Sequence, residues 1–431
     1  MSDLPAPTQA PQRRHFTEDW VAVFLAAGLL LAVIAGWRPQ IPKFSWKAMP
    51  DLGSAVFAGG NLGNMLLLGG ILFLVACVGF FLVGGNVRKF VLGFPVIFLL
   101  ACTAQVLAGY APIKELGLEY VIFALLIGLL ISHLFTLPAW LREAVQTEFY
   151  IKTGLVILGA GILFQEILQA GWLGLAQALG VVTVVWYFAF WLSKKLRVDN
   201  EFGAMIATAV SICGVSAAIA ACGAINGDRK KLSYVTSLVL VVAVPMMIFM
   251  PPIVKYFGIP ELVAGAWLGG TLDTSGSVVA AGEAISDRAM KTGVIVKFSQ
   301  NVLIGLAAFI LSIWWTMRSN SQAEKPTARV IWDRFPKFVI GFVTASLVFS
   351  FVLPHEFVGE TKKMLNGLRT FWFALAFVSI GLETRVTDLI SQGGGRPAAT
   401  FVLAQTANVI WTLILAWLLF GGLIFALPDI R

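Results

Sequence analysis

The chain has 431 residues, of which 58% are hydrophobic and only 13% are charged, and its formal net charge is +8. Apolar runs of about 20 residues, the length that crosses the hydrocarbon core of a bilayer, recur along the whole sequence. These properties exclude a large soluble α/β enzyme and predict an all-α polytopic membrane protein. The positive charge lies mainly in loops, where Lys and Arg mark the cytoplasmic side of a membrane protein. We therefore expect membrane lipid and no nucleic acid as a partner.

Three regions follow in chain order. Residues 1–18 form a polar tail with Arg13 and Arg14, and Trp37-Arg38-Pro39 follows the first apolar run in place of a small-residue cleavage site, so we expect an uncleaved span. Residues 19–115 form additional N-terminal spans, and residues 116–427 form the core. We expect about 11–13 spans, from apolar runs at about 19–37, 63–84, 90–110, 118–137, 152–170, 174–193, 203–225, 232–256, 262–285, 292–316, 337–354, 367–384 and 399–427.

Two of these runs have two topological interpretations. Basic residues flank both ends of 203–225, with Lys194, Lys195 and Arg197 before it and Arg229–Lys231 after it. A re-entrant hairpin keeps both basic groups inside, and 262–285 must then re-enter from the other side. Two crossing broken helices are the alternative, although the positive-inside rule favours hairpins. Both interpretations place the N-terminus in the cytoplasm and the C-terminus in the periplasm of a bacterial inner membrane.

A weak internal repeat relates two parts of the core. Gly154–Leu168 and Phe373–Leu389 are apolar runs that each end in polar residues, and the next span of each opens with Leu-Ala-Gln, at 175–177 and 403–405. The paired segments point in opposite directions in the predicted topology. This pattern predicts inverted repeats related by a two-fold axis in the membrane plane, with chance similarity between apolar helices as the alternative.

The run 203–225 is broken by small and hydroxylated residues. Ser211, Cys213, Gly214 and Ser216 alternate with small apolar residues between 209 and 218. A break centred on glycine exposes the ends of two half-helices, and an N-terminal end with free N–H groups is an anion site. Close packing of transmembrane helices, which small residues also permit, is the alternative. We include all four residues in the predicted substrate site.

The run 262–285 is interrupted in a similar way around a carboxylate. Asp273 lies within an apolar run, where a charged residue is costly and indicates function. Thr274, Ser275 and Ser277 follow it and supply hydroxyls. We predict that Asp273 couples transport to H⁺ or Na⁺ and that the three hydroxyl residues bind substrate, whereas capping of a half-helix is an alternative role for Asp273.

A third polar group opens the run 292–316. Lys297, Gln300 and Asn301 precede a wholly apolar stretch, and Lys297 and Asn301 share one helix face because they are four residues apart. We assign all three to the substrate site. For Lys297 the hypotheses are a countercharge to an anion, a pair with Asp273, or snorkelling to the interface.

The sequence gives little sign of covalent chemistry. Cys77, Cys102, Cys213 and Cys222 all lie in apolar runs, with neither metal-ligand spacing nor a disulfide pattern. The sequence contains no catalytic constellation in its broken segments and no pore-lining charge ring, so we expect neither an enzyme nor a channel. We expect no catalytic residue, no bound metal and no cofactor other than a coupling H⁺ or Na⁺.

The polar segments resemble those of a known family. Ser211–Ala218, Gly269–Val278, Val296–Asn301, Phe338–Phe342 and Ile380–Thr384 are similar in order and spacing to motifs of the YeiH-like sulfate exporter family. That family is similar to the bile/arsenite/riboflavin-type transporters, which implies inverted repeats, crossing discontinuous helices and alternating access. The family's His and Arg correspond to Leu272 and Gln300, so this chain is identified as a divergent member.

Together these features predict a secondary transporter, with export a possible direction. Its substrate is a small anion such as sulfate, sulfite or an organosulfonate, held by two half-helix ends. The alternative is an ion-coupled transporter of an amino-acid-like or other organic solute, with Asp273 facing an amine. A homodimer is an open prediction.

Overall fold

The computed structural model describes residues 16–115, 119–318, 329–384 and 395–430, which form an assembly of α-helices without a β-strand. The helices, numbered in chain order, are α1 (Glu18–Ile34), α2 (Met49–Asp51), α3 (Gly59–Val83), α4 (Val87–Ala108), α5 (Ala111–Glu115), α6 (Tyr120–Leu134), α7 (Ala139–Ala144), α8 (Thr147–Gly159), α9 (Phe164–Lys195), α10 (Asn200–Thr208), α11 (Gly214–Ile225), α12 (Arg229–Phe257), α13 (Glu261–Thr271), α14 (Ser275–Glu283), α15 (Asp287–Arg318), α16 (Arg329–Arg334), α17 (Lys337–Leu347), α18 (His355–Glu383) and α19 (Gly395–Phe420). Short π-helical segments lie at Leu52–Val56, Ala209–Cys213 and Val348–Val352. The predicted all-α polytopic fold is confirmed.

Length and hydropathy identify the candidate membrane spans. Eight of the described helices are long and apolar enough to cross a membrane, and these are α3, α4, α9, the segment from α10 to α11, α12, α15, α18 and α19. Shorter apolar helices are α6 and α17 with its π-helical extension, and α1 has 17 residues. Arg13, Arg14 and most of the predicted tail lie outside the described residues.

Polar contacts between helix ends define two faces of the structure. Lys337 N donates to Asp19 Oδ2 over 2.9 Å, and Thr147 Oγ1 donates to Glu383 Oε2 over 2.9 Å. The starts of α1, α8 and α17 and the end of α18 therefore share one face, which we name the Glu18 face. The opposite face, where α1 ends, is the Ile34 face.

Residues 200–225 form a re-entrant hairpin, named the first hairpin. Lys231, at the start of α12, pairs with Asp199 over 2.8 Å and with Glu201 over 3.1 Å, so both ends of the segment lie at one face. A Cβ at Gly223 in α11 would lie 2.6 Å from the Arg334 guanidinium, just before α17, so this is the Glu18 face. Burial raises the pKa of Asp199, but the Lys231 ammonium and the Phe202 N–H outweigh burial and lower it overall. The carboxylate therefore stays charged, and the pair persists until the pH falls through that lowered value.

Residues 261–283 form the second hairpin, which enters from the Ile34 face. A Cβ at Gly265 in α13 would overlap Ala289 O, and one at Gly282 in α14 would lie 2.5 Å from Met290 Cα. Both arms of the hairpin therefore return to the same level of α15. The charge-based expectation of hairpins agrees with these contacts, and the crossing arrangement implied by the family resemblance is wrong for this chain.

With two hairpins, eleven described helices run between the faces, and these are α1, α3, α4, α6, α8, α9, α12, α15, α17, α18 and α19. The repeated segments run in opposite directions and pack together, since a Cβ at Gly154 in α8 would lie 2.5 Å from the Phe373 ring in α18. Likewise, Trp411 Nε1 in α19 donates to Gly180 O in α9 over 3.1 Å. An inverted repeat requires this arrangement.

The irregular backbone of the hairpins is kept away from lipid. In the most apolar window of residues 200–225, 83% of the residues are buried, against 33% for α3, which faces outward. Buried side chains of α9, α12 and α19 surround the first hairpin in one hydrophobic cluster, and the second hairpin lies in a larger cluster with α6, α8 and α18. Broken backbone at membrane depth is stable only when protein or a water-filled cavity supplies its partners.

The hairpins predict a specific labelling pattern. A single cysteine introduced at Asn200, at the start of α10, is expected to react with a membrane-impermeant maleimide from the same face as one at Asp228, just after α11. A cysteine at Ser286, just after α14, is expected to react only from the opposite face. Reaction of the Asn200 and Asp228 positions from opposite faces would contradict the first hairpin.

Candidate substrate site at the hairpin tips

The tips of the two hairpins meet in the interior. Gly214, at the first tip, has φ +49° and ψ −110°, a conformation that favours glycine. A Cβ at Gly214 would lie 2.6 Å from Val239 Cγ1, 3.0 Å from Asp273 Cβ and 3.1 Å from Asp273 O. A larger residue at Gly214 would therefore both strain the turn and separate the tips.

Lys297 binds the carbonyl ends of both incoming half-helices. Its Nζ donates to Ile212 O over 2.6 Å, to Leu272 O over 2.7 Å and to Gln300 Oε1 over 2.9 Å. The side chain is 1% exposed, so it does not snorkel to the interface. A cation is favourable at helix C-termini, whose last carbonyls lack intrahelical donors. Lys297 thus holds the two tips together.

Amide side chains complete this capping. Gln300 Nε2 donates to Ser211 O over 2.8 Å and to Gly270 O over 3.3 Å. From α19, Gln405 Nε2 donates to Thr271 O over 2.8 Å, and Asn408 Nδ2 donates to Val210 O over 3.1 Å. The hairpin carbonyls therefore depend on two helices, α15 and α19, that are remote in sequence from the first hairpin.

The sequence analysis did not identify Gln405 and Asn408 of α19 as site residues, although the Leu-Ala-Gln repeat indicated Gln405. Gln405 is the glutamine of the second Leu-Ala-Gln repeat, and Gln177 is its counterpart in the first. Gln177 Nε2 also donates to a hairpin carbonyl, Ala266 O, over 2.7 Å. The repeated motif marks two glutamines that hold the second hairpin.

The outgoing half-helices begin at a cavity of about 230 Å³ near the Glu18 face, named the first cavity. Ser216 near the start of α11 and Ser275 at the start of α14 both line it. The first N–H groups of an α-helix lack intrahelical partners, and the helix dipole makes this end positive. Two such ends therefore make this cavity suitable for an anion.

A second cavity of about 250 Å³ adjoins the first. Thr274, Ser277 and Glu148 line it, and Thr274 and Glu148 line the first cavity as well. Thr274 Oγ1 accepts from Ser277 N over 3.1 Å and so caps α14, while the two hydroxyl oxygens lie 2.7 Å apart. Thr274 therefore both caps the half-helix and faces the two cavities.

Charged side chains of α1 and α8 lie at the edge of the cavities. Lys152 pairs with Glu18 over 3.2 Å, with Asp19 over 3.0 Å and with Glu148 over 3.5 Å. One ammonium is therefore shared by three carboxylates, and Glu383 adds a further acidic group to the second cavity. These residues were absent from the predicted site, since each lies near the start or end of an apolar run and outside the two broken segments.

The predicted residues divide into two groups. Those that line a cavity are Cys213, Ser216, Thr274, Ser275, Ser277 and Asn301. Those that support the tips without lining either cavity are Ser211, Gly214, Asp273, Lys297 and Gln300. Ser211 Oγ donates to Thr208 O over 3.5 Å, within its own half-helix. All the predicted residues therefore converge on the tips, but Lys297 and Gln300 face backbone carbonyls.

Asp273 is the buried carboxylate at the meeting point. It is 1% exposed, and its Oδ2 has no hydrogen-bond partner among residues 16–115, 119–318, 329–384 and 395–430. No ion pair within 4.0 Å joins it to Lys297 in the described structure. The direct Asp273–Lys297 pair considered from the sequence is therefore not formed.

The fold and these tips define an all-α polytopic membrane protein with two re-entrant hairpins that meet from opposite faces. The model of a family described as "Conserved hypothetical protein 698" matches residues 92–400, a range that contains both hairpins and α15. The chain belongs to this family. No solved structure matches the chain.

Curated relatives are named UPF0324 membrane proteins, a name that states no substrate. One from Rhodopirellula baltica is 40% identical over 328 residues, which cover 73% of this chain and 60% of the relative. One from Nitratidesulfovibrio vulgaris is 36% identical over 330 residues, which cover 74% of this chain and 57% of the relative. One from Nitrosomonas europaea is 31% identical over 326 residues, which cover 67% of this chain and 66% of the relative. The chain thus spans less than two thirds of the length of these relatives.

Proposed function

We propose that the protein is a secondary transporter that carries a small anion by alternating access. The observation that carries this proposal is the pair of half-helix N-termini, at Ser216 and Ser275, that face one cavity beside the meeting point of two oppositely inserted hairpins. Sulfate, sulfite and organosulfonates fit such a site, because their oxygens accept hydrogen bonds from N–H and hydroxyl groups. The resemblance to sulfate exporters supports the same substrate class.

The orientation follows from charge. The basic groups at Arg88–Lys89, Lys194–Lys195 and Arg229–Lys231 all lie at the Glu18 face, and such clusters mark the cytoplasmic side. The protein would thus lie in a bacterial inner membrane with its N-terminus inside. Both cavities would then lie toward the cytoplasmic face, on the side from which a cytoplasmic solute binds.

A second candidate substrate is an amino-acid-like or other zwitterionic solute. The observation that favours it is the group of carboxylates Glu18, Glu148 and Glu383 that line the second cavity. An amine would be attracted to these groups while the acidic end of the solute lies at the half-helix N-termini. This solute would use the same two cavities.

The test combines solute binding with protection of Cys213, which lines the first cavity. Thermal unfolding of the purified protein is measured with sulfate, sulfite, organosulfonates and zwitterions at matched ionic strength. In a variant with Cys77, Cys102 and Cys222 replaced by alanine, the stabilising solute is expected to slow alkylation of Cys213 by a small thiol reagent. A Cys213 reaction rate indifferent to every stabilising or transported solute would contradict a substrate site in the first cavity.

A further inference from the structure

Four side-chain oxygens without a hydrogen-bond partner lie near the tip of the second hairpin. They are Thr271 Oγ1, Asp273 Oδ2, Asn301 Oδ1 and Gln405 Oε1, and each lacks a partner in the part of the chain that the structure describes. Each of these residues is at most 2% exposed. Because buried polar atoms are nearly always paired, four unpaired oxygens in one region require an explanation.

Contacts of the same residues place these side chains around one break in the backbone. Thr271 and Asp273 flank Leu272, whose extended conformation ends α13. Gln405 Nε2 donates to Thr271 O over 2.8 Å, which places the Gln405 amide beside Thr271. Asn301 Nδ2 donates to Ser275 Oγ over 3.3 Å, which places the Asn301 amide on the other side of the break.

We propose that Thr271, Asp273, Asn301 and Gln405 form a binding site for Na⁺. Hard cations take oxygen ligands from carboxylates, amide carbonyls, hydroxyls and water, which are the groups present here. Unwound backbone and half-helix ends are also where transporters coordinate Na⁺. The site deepens the proposed transporter and rests on that proposal only for its role in coupling.

The charge of the site selects a monovalent ion. Asp273 is its single carboxylate, and the buried ammonium of Lys297 lies at the same hairpin tips, where it binds Leu272 O. A divalent cation would leave a larger excess of positive charge in a region of low dielectric constant. Consistently, the described residues contain no group of three or more His, Cys, Asp or Glu that could hold a metal ion.

A proton is a poorer occupant than Na⁺. Protonation of Asp273 would provide one O–H donor, which could pair with one of the other three oxygens. If it paired with one of the amide oxygens of Asn301 and Gln405, which accept but never donate, the other amide oxygen would still need a donor. A bound cation, by contrast, would accept lone pairs from every oxygen within its coordination distance and would need no donor from the protein.

Bound Na⁺ would also strengthen anion binding. Asn301 connects the proposed ion site with the anion site, because its Oδ1 belongs to the first and the residue also lines the first cavity. A positive charge at the break attracts an anion at the adjacent N-termini of α11 and α14. By linkage, the anion then strengthens Na⁺ binding by the same factor, which is the requirement for coupled transport.

The experiment measures ion binding to the purified full-length protein without substrate. Thermal unfolding is recorded in NaCl, KCl and choline chloride at equal ionic strength, and binding of ²²Na⁺ is measured directly. Na⁺ is expected to raise the Tm with saturable dependence, while K⁺ and choline do not. Equal Tm values in all three salts, with no ²²Na⁺ binding, would overturn the site and assign the oxygens to water or to a proton.

Variants locate the ion at the four oxygens. Thr271→Val is expected to raise the half-saturating Na⁺ concentration by about tenfold or more, and Thr271→Ser is expected to keep it near the value of the unmodified protein. Asp273→Asn is expected to lose the response to Na⁺. The matched control is Glu261→Gln, which removes an exposed carboxylate from the start of the same hairpin and is expected to leave Na⁺ binding unchanged. Normal Na⁺ binding in both Thr271→Val and Asp273→Asn would overturn the assignment.

The two binding experiments distinguish failure of the sodium site from failure of the proposed transport function. If a solute stabilises the protein and Na⁺ has no effect, the sodium site fails and the transporter proposal stands. If Na⁺ stabilises the protein and none of the solutes does, the ion site stands and the proposed substrate classes fail.

Discussion

Asp273→Asn is expected to reduce solute flux in proteoliposomes to below about a tenth of the normal rate. An increase of about 1.4 kcal/mol in the transport barrier, or an equal loss of binding free energy, lowers the rate or the affinity about tenfold. Asn has nearly the same shape as Asp, and Asp273 Oδ2 makes no hydrogen bond that the substitution would break. The loss should therefore come from the missing charge at the meeting point of the hairpins. A normal unfolding temperature, measured beside the flux, would show that the fold is retained.

Glu261→Gln is the control for this experiment. It neutralises a carboxylate in the same hairpin, but at the exposed start of α13, far from the tip. Flux through this variant is expected to match that of the unmodified protein. If Asp273→Asn retains full, ion-driven flux, Asp273 has no part in coupling.

Lys297→Met is expected to lower the free energy of unfolding by about 3 kcal/mol or more, because it leaves buried acceptors unpaired. Ile212 O, Leu272 O and Gln300 Oε1 all lose the same donor. The two hairpin tips would then lose the cation that binds both. The measurement is thermal or denaturant unfolding of the purified protein, with Lys255→Met at the exposed end of α12 as the control.

This expectation differs from that of a direct countercharge. A lysine that only attracts an anion could be replaced with lower solute affinity and normal stability. A lysine that caps two half-helices changes stability first, and Lys297→Arg should recover part of it because the charge and some donors remain. Normal unfolding of Lys297→Met together with weaker anion binding would instead return Lys297 to the substrate site.

Removal of salt-bridge partners elsewhere should have smaller effects. The pairs of Lys231 with Asp199 and Glu201 are partly exposed, and exposed ion pairs contribute little. Lys297, by contrast, is 1% exposed, so bulk solvent cannot readily replace the donor that its carbonyl partners lose. The degree of burial of each charged group therefore decides how much its substitution lowers the free energy of unfolding.

The amino-acid sequence alone determined the class of the protein and the location of its breaks. Long apolar runs predict membrane helices because hydropathy is a local property, and Gly214 and Asp273 interrupt those runs within a few residues. Lys231 follows the first hairpin closely in the sequence, so the positive-inside rule also predicts the re-entrant path of this hairpin.

The tertiary structure decided which side chains meet at the breaks and what they do. Gln405 and Asn408 lie almost 200 residues from the first hairpin, and Asn408 nevertheless donates to Val210 O. Lys297 binds two carbonyls from separate hairpins, a role that no local pattern distinguishes from a substrate countercharge. Hydropathy and spacing report where a helix breaks, but the partners of its freed backbone groups depend on how remote helices pack, which only the folded chain defines.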